Sequence, residues 1–273
     1  MKSKKVGIVG LGNIGTPIAH NILKGGYELS VFDVRDEAIA EFARAGAKAV
    51  KSCRELAGAS DYIITLVRDN AQTEEIIYGK DGLGEGLAPG KTVIIMSTLT
   101  PDFVRQIAQN LAEKKVAVVD AAISGAEMAA REGTLSIMVG GDEAVYNDVL
   151  PLFQSFGKNI FHLGPVGSGL VVKLVNNAIR TVNLYGTREG LKLAINAGVD
   201  PKRLFEVVNV STGQSWGSDH WERDQGEVEK YRKDPLSSRF SLMAKDRGIA
   251  LEFADSLKVD VPLLKMTTEV ELE

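Results

Sequence analysis

A single cysteine, Cys53, stands among 273 residues, so no intrachain disulfide can form, and a reducing compartment suits the chain. The three histidines, His20, His162 and His220, are scattered without the spacing of a metal site, and no metal is expected. No apolar run approaches the roughly 20 residues needed to cross a bilayer, so no membrane partner is expected. Basic runs are also absent. With 32 basic residues against 36 acidic ones the net charge is −4, which leaves no electrostatic footprint for nucleic acid. Met1-Lys2-Ser3-Lys4-Lys5 leads straight into the apolar Val6–Val9 without the core of a secretory leader, which predicts a cytoplasmic protein. Internal repeats and low-complexity stretches are missing as well.

What remains is an ordinary globular balance, 44% apolar and 25% charged, in a chain long enough for two domains. The first half alternates short apolar runs with helical segments. Val6–Val9, Leu29–Phe32, Tyr62–Val67, Thr92–Met96, Val116–Asp120 and Leu135–Val139 are expected as strands. Helices are expected from Asn13 to Lys24, stopped by Gly25-Gly26, and from Glu37 to Ala45. Runs such as Val-Ile-Ile-Met have no polar alternation, the mark of strands covered on both faces in a parallel sheet. The pattern then changes: Gly167 to Ala197 reads as one long helix without proline, followed by further helices and no clear strand. The expected architecture is α/β: a doubly wound parallel sheet of Rossmann type over residues 1–163 and a smaller, all-helical domain over 164–273, opened by the long helix.

Gly10-Leu11-Gly12-Asn13-Ile14-Gly15 follows the first strand and opens the first helix. In a dinucleotide-binding turn the first glycine makes the bend, the second lets the pyrophosphate approach, and the third lets helix pack on strand. The helix N-terminus supplies N–H groups to the phosphates. Asp33 closes the second strand, 21 residues after Gly12, where a carboxylate can accept from the adenosine ribose. Asp33 favours NAD, since it repels the 2′-phosphate of NADP. Arg35 pulls the other way if it pairs with that phosphate, and carries no weight if it is a plain solvated surface charge; NADP stays open. Val67 and Thr98, at the ends of later strands, lie where the rest of a dinucleotide is expected, although the Ser97-Thr98-Leu99-Thr100 cluster could equally cap a helix.

The chain resembles the β-hydroxyacid dehydrogenases over nearly its whole length, through four segments in order. These are the Gly10–Gly15 turn; Asp120-Ala-Ala-Ile-Ser124-Gly125-Ala126 with Gly133-Thr134-Leu135 after it; Gly164-x-x-Gly167-x-Gly169-x-x-x-Lys173-x-x-x-Asn177; and Phe240 with Lys245-Asp246. Ser211-Thr-Gly-Gln-Ser-Trp216 further resembles the 3-hydroxyisobutyrate dehydrogenase branch. Ala122 replaces a family proline, Arg68 another, and Ala126 the second glycine of the substrate loop. The resemblance implies an NAD-dependent oxidoreductase interconverting a 3-hydroxy acid and its semialdehyde or keto acid, working as a homodimer or homotetramer.

In that reading Lys173 is the acid/base and Asn177, one helical turn on, orients it or the substrate oxygen. Leu170, Val171, Val172, Leu174 and Val175 are expected to desolvate the lysine and lower its pKa, against the alternative that it reaches out to solvent. Ser124 and Gly125 are expected to hold the substrate carboxylate. The Cβ of Ala126 should bar positive φ and so alter that pocket. Lys245 is expected to pair with substrate or cofactor charge, against the alternative of a solvated lysine beside Asp246. His162 is a second, weaker candidate acid/base, His20 an exposed helix residue, and Trp216 and Trp221 packing or pocket wall. Two further functions stay open: a semialdehyde or glyoxylate-type reductase of the same family, and a non-catalytic dinucleotide-binding module. Imine-reducing relatives usually lack the lysine.

Overall fold

The computed structural model describes residues 4–234 and 239–270. It divides into two compact units, Met1–Lys173 and Leu174–Glu273.

In chain order the first unit holds β1 (Val6–Val9), α1 (Gly15–Lys24), β2 (Leu29–Phe32), α2 (Asp36–Arg44), β3 (Lys48–Ala49), α3 (Cys53–Ala59), β4 (Tyr62–Thr65), α4 (Asn70–Tyr78), α5 (Leu83–Gly86), β5 (Thr92–Ile95), α6 (Pro101–Ala112), β6 (Ala117–Ser124), α7 (Ala126–Glu132), β7 (Leu135–Gly140), α8 (Glu143–Phe153) and β8 (Gly157–His162). The eight strands form one sheet in the order β3-β2-β1-β4-β5-β6-β7-β8. The chain winds outward one way from β1 to β3 and the other way from β4, so the order reverses between β1 and β4. A crevice opens at such a reversal, outside the carboxyl ends of the strands, and that is where ligands of open α/β sheets bind.

Every residue of β1, β4 and β5 is buried. Their side chains alternate between two separate apolar clusters, with Ile8, Ile64 and Ile94 on one face and Val9, Ile63 and Val93 on the other. That is the physical reason for the unbroken apolar runs: helices cover both faces. The sheet departs from the all-parallel expectation at one place. β7 runs antiparallel to β6, with Asp120 opposite Gly140 and Ser124 opposite Ser136. The link between them, Gly125 to Thr134, is shorter than the dozen or so residues a parallel crossover needs.

α9 (Ser168–Asn196) is a helix of 29 residues, about 44 Å long. It is followed by α10 (Pro201–Val208), α11 (Trp216–Asp219), α12 (Trp221–Lys233), α13 (Arg239–Ser256) and α14 (Pro262–Met266). The second unit is helical, with small buried clusters: Leu184, Val228, Phe240 and Met243 in one, Leu174, Ala250 and Leu264 in the other.

Candidate active site

The glycine-rich turn lies at the carboxyl end of β1. Each glycine there has a different reason to lack a side chain. Gly10 sits at φ +97°, and a Cβ on it would come 2.4 Å from the Leu66 carbonyl oxygen. A Cβ on Gly15 would fall 1.9 Å from the Gly10 carbonyl, so helix and turn can close only over glycine. Gly12 faces open space, and a Cβ there would meet nothing within 4 Å. That is the room a pyrophosphate needs, beside the N–H groups that begin α1. Leu11, Asn13 and Ile14 complete the turn, and Leu11 is buried beneath it. The residues present fit a dinucleotide.

Asp33, just past β2, does more than wait for a ribose. Its carboxylate accepts the Leu11 N–H at 2.7 Å, the Arg35 N–H at 2.9 Å and the Arg35 Nε–H at 3.0 Å. Arg35 also donates to the Leu11 carbonyl at 2.9 Å. Arg35 is therefore no free surface charge: with Asp33 it clasps both backbone groups of Leu11. Burial works to raise the Asp33 carboxyl, but the hydrogen bonds from Arg35 and Leu11 and the guanidinium charge outweigh it and hold it below its ordinary value. A fourth, longer bond comes from the Arg35 Nη2–H at 3.4 Å, so the carboxylate's four or so acceptor positions are all taken, and a ribose hydroxyl would replace that weakest bond.

Val67 and Thr98 follow β4 and β5, whose ends are tied by the Ser97 hydroxyl donating to the Val67 carbonyl at 2.7 Å. Thr100, not Thr98, precedes α6. It makes no capping hydrogen bond, and its hydroxyl accepts from Asn70 at 3.2 Å.

β6 ends at Ser124, and the turn into α7 is made by Gly125 at φ +127° and Ala126 at φ +59°. The expectation that Ala126 cannot take positive φ is overturned. The left-handed well admits alanine at a cost of about 1 kcal/mol, and the turn requires that conformation. Ala126→Gly is accordingly expected to stabilise the fold by about 0.5–1 kcal/mol, read as a higher denaturant midpoint at unchanged slope. An unchanged or lower midpoint contradicts a strained Ala126.

Asp120, four residues before Ser124, is fully buried. Its carboxylate accepts the N–H of Gly167 at 2.6 Å and of Leu170 at 2.8 Å. Burial pushes its carboxyl up to about 6, against the pull of backbone N–H groups that include Gly167, Leu170 and Gly169. A folded-state pKa raised from 3.8 means that folding favours the proton. The resulting stability is full below about pH 4 and lost as pH rises through about 6. The stability of the wild type relative to Asp120→Asn is expected to fall by about 3 kcal/mol between pH 4 and pH 7, measured by chemical unfolding at both. A flat difference contradicts it.

The same turn begins α9, and Lys173 stands about one turn further on, half-buried. Its apolar sequence neighbours do not surround it as expected. Leu170 and Leu174 pack into buried clusters, whereas Val172 and Val175 are exposed, because a helix sends successive side chains in different directions. Asn177 follows one turn later on the same helix. In the second unit the Asn177 side-chain amide donates to Asp246 at 2.8 Å, and Asp246 also pairs with Lys245 at 3.2 Å. Both partners of that ion pair are mostly buried, which corrects the solvated-lysine alternative. Sequence reasoning gave Asp120 and Asp246 no role of their own. Each was visible only as a member of a motif.

The histidines have structural neighbours. His20 pairs with Glu41 at 2.8 Å. His162 bonds the Gly141 carbonyl at 2.8 Å and stacks on Tyr146, and His220 stacks on Trp216. Among the described residues no three His, Cys, Asp or Glu side chains gather as a metal site, and no helix is long and apolar enough to cross a membrane.

A glycine turn at the switch point of a doubly wound sheet, with a carboxylate at the next strand tip, defines a dinucleotide-binding protein. Residues 5–164 match the family described as the NAD binding domain of 6-phosphogluconate dehydrogenase. Residues 167–271 match the one described as NAD-binding of NADP-dependent 3-hydroxyisobutyrate dehydrogenase. The chain is 36% identical over 266 residues to an NAD-dependent L-serine dehydrogenase of Pseudomonas aeruginosa, covering 95% of this chain and 88% of that protein. It is also 36% identical over 258 residues to a 2-hydroxy-3-oxopropionate reductase of Escherichia coli, covering 94% and 87%. A crystal structure of 3-hydroxyisobutyrate dehydrogenase from Salmonella typhimurium superimposes with a TM-score of 0.83 at 27% identity, over 98% of this chain and 92% of that one. The chain belongs to the β-hydroxyacid dehydrogenase family, whose members are NAD(P)-dependent oxidoreductases acting on a CH–OH group.

Proposed function

We propose that the protein interconverts a small 3-hydroxy acid and its semialdehyde, with NAD as cofactor and Lys173 as the proton carrier. The observation that carries the reading is the placement of Lys173 about one turn after the Asp120-anchored head of α9, in a unit that also holds the glycine turn and the Ser124 loop. When bound, NAD supplies the hydride acceptor. Gly10–Gly15, Asp33 and Arg35 hold it, with Val67, Thr98 and Lys245 assigned to its remaining contacts. Ser124, through its hydroxyl, and Gly125, through its N–H, hold the substrate carboxylate, with Ala126 shaping the loop and Lys245 adding positive charge. Lys173 takes the hydroxyl proton on oxidation and returns it on reduction. Asn177, held by Asp246, orients that exchange.

The named relatives support the substrate class. L-serine and 3-hydroxyisobutyrate both carry a hydroxyl on carbon 3 and a small group on carbon 2, and 2-hydroxy-3-oxopropionate carries the corresponding aldehyde. Residues 1–163 form the cofactor domain in this reading, and residues 164–273 the substrate and dimerisation domain. Exposed Leu193, Val207, Val210 and Leu263 beside small buried clusters favour a homo-oligomer built through the second unit. Cys53, buried and with its thiol pushed up to about 11 by desolvation, suits a reducing cytoplasm.

The test is a panel of L-serine, 3-hydroxyisobutyrate and 2-hydroxy-3-oxopropionate, followed at the reduced-nicotinamide absorbance band. Turnover of at least one is expected. Intact NAD binding with no turnover of any would leave the non-catalytic module. Reduction of the aldehyde far outpacing every oxidation would make the protein a reductase.

A further inference from the structure

The carboxylate of Asp120 occupies a socket built from three elements. β6 supplies the side chain. β7 supplies Gly140, directly opposite in the antiparallel pair, where a Cβ would come 2.4 Å from Asp120 Oδ1. The head of α9 supplies the N–H donors of Gly167 and Leu170, and also Gly169, where a Cβ would come 2.8 Å from Asp120 Oδ2 and 2.2 Å from the Met138 carbonyl. Arg105 of α6 lies against the same turn. It donates to the Val166 carbonyl at 3.3 Å and pairs with Asp102 at 2.6 Å. A fully buried carboxylate ionised at neutral pH is a costly fastener where a neutral side chain could cap a helix. What this one fastens is the first turn of the helix that carries Lys173. It does so from the strand that ends, about 13 Å further on, in Ser124.

We propose that Asp120 is a positioning residue for the reaction: by clamping the head of α9 to β6 it fixes Lys173 with respect to the Ser124–Ala126 loop. This rests on Lys173 being the acid/base. Asp120 touches neither substrate nor cofactor; it acts through the helix. Replacing a charged acceptor of two N–H groups by an amide sets one NH2 against a backbone donor, so the helix head must shift. Near-attack geometry is steep in distance, and displacements of about 1 Å are enough to cost roughly a hundredfold.

The experiment compares the wild type, Asp120→Asn, Asp120→Ser and Lys173→Ala, with NAD binding by fluorescence as the measure of folding. Serine is included because it leaves a hydroxyl acceptor and room for a water if asparagine does not fold. In the Asp120 variants kcat is expected to fall about 10–100-fold, with Kd for NAD and KM for the hydroxy acid changed less than about threefold. The midpoint of the rise of kcat/KM with pH on oxidation should also move, because a shifted helix head changes the surroundings of the Lys173 ammonium. A purely structural role would lower stability and leave that midpoint in place. Folded Asp120 variants with normal kcat and an unmoved pH profile overturn the proposal, while an inactive Lys173→Ala beside them leaves the Lys173 reading standing. An active Lys173→Ala overturns both.

Discussion

Lys173→Ala is expected to lower kcat by about 10²–10⁴-fold, the usual contribution of a positioned acid/base, while NAD binds as in the wild type. The separation follows from where the groups lie. The dinucleotide turn is built by β1, α1 and the tip of β2, whereas Lys173 rides on α9. Lys173→Arg is expected to fail as badly, because a guanidinium does not give up its proton in a protein and cannot relay one. Asn177→Ala should be milder, since Asn177 is held by Asp246 and steers the exchange without carrying the proton. The measurement is kcat for the three variants with NAD affinity alongside. A near-normal kcat in Lys173→Ala would sink the mechanism and turn attention to His162, whose Nε2 bonds the Gly141 carbonyl.

The second large effect is expected at the cofactor. The wild type should use NAD with a higher kcat/KM than NADP, because Asp33 repels a 2′-phosphate at the strand tip. Asp33→Ala should raise KM for NAD about 10–100-fold, the equivalent of losing one or two charge-assisted hydrogen bonds. It should also erase or reverse the preference. The substitution removes the carboxylate that holds the Leu11 N–H and the Arg35 guanidinium, and leaves that guanidinium beside the turn as a partner for phosphate. Steady-state kinetics with both cofactors decide the matter. A wild type that prefers NADP, or a variant that keeps its NAD preference, contradicts the assignment.

The strands at the centre of the sheet were legible because burial on both faces leaves an unmistakable run, as at Tyr62–Thr65 and Thr92–Ile95. β8 was not, for the opposite reason: Gly-Lys-Asn-Ile-Phe-His lies at the sheet edge with most of its residues partly or wholly exposed, so no apolar pattern marks it. The two residues of β3 are both exposed and carry no pattern at all. The direction of β7 was hidden too, since an apolar run is the same read either way; only the shortness of the preceding link betrays the reversal. At the site, the turn and Asp33 could be found because their chemistry is local. The clamp of Asp120 on Gly167 and Leu170 joins residues 47 and 50 positions apart, and the bond from Asn177 to Asp246 spans 69. Such pairings exist only after folding.

The clasp of Asp33 and Arg35 on Leu11 has a consequence for how the cofactor is received. A loop that must first be ordered charges its ligand the entropy of that ordering. Here the N–H and the carbonyl of Leu11 are both bonded by the protein's own side chains, Asp33 and Arg35. The turn is a finished mould, and its peptide group at Leu11 should be shielded from solvent exchange from the start. Amide hydrogen exchange at Leu11 should be slow in the free protein and change little when NAD arrives, whereas a turn assembled by the cofactor would go from fast to slow. Recognition at this corner of the molecule would then be a matter of fit between two rigid shapes, with little folding left to do upon contact.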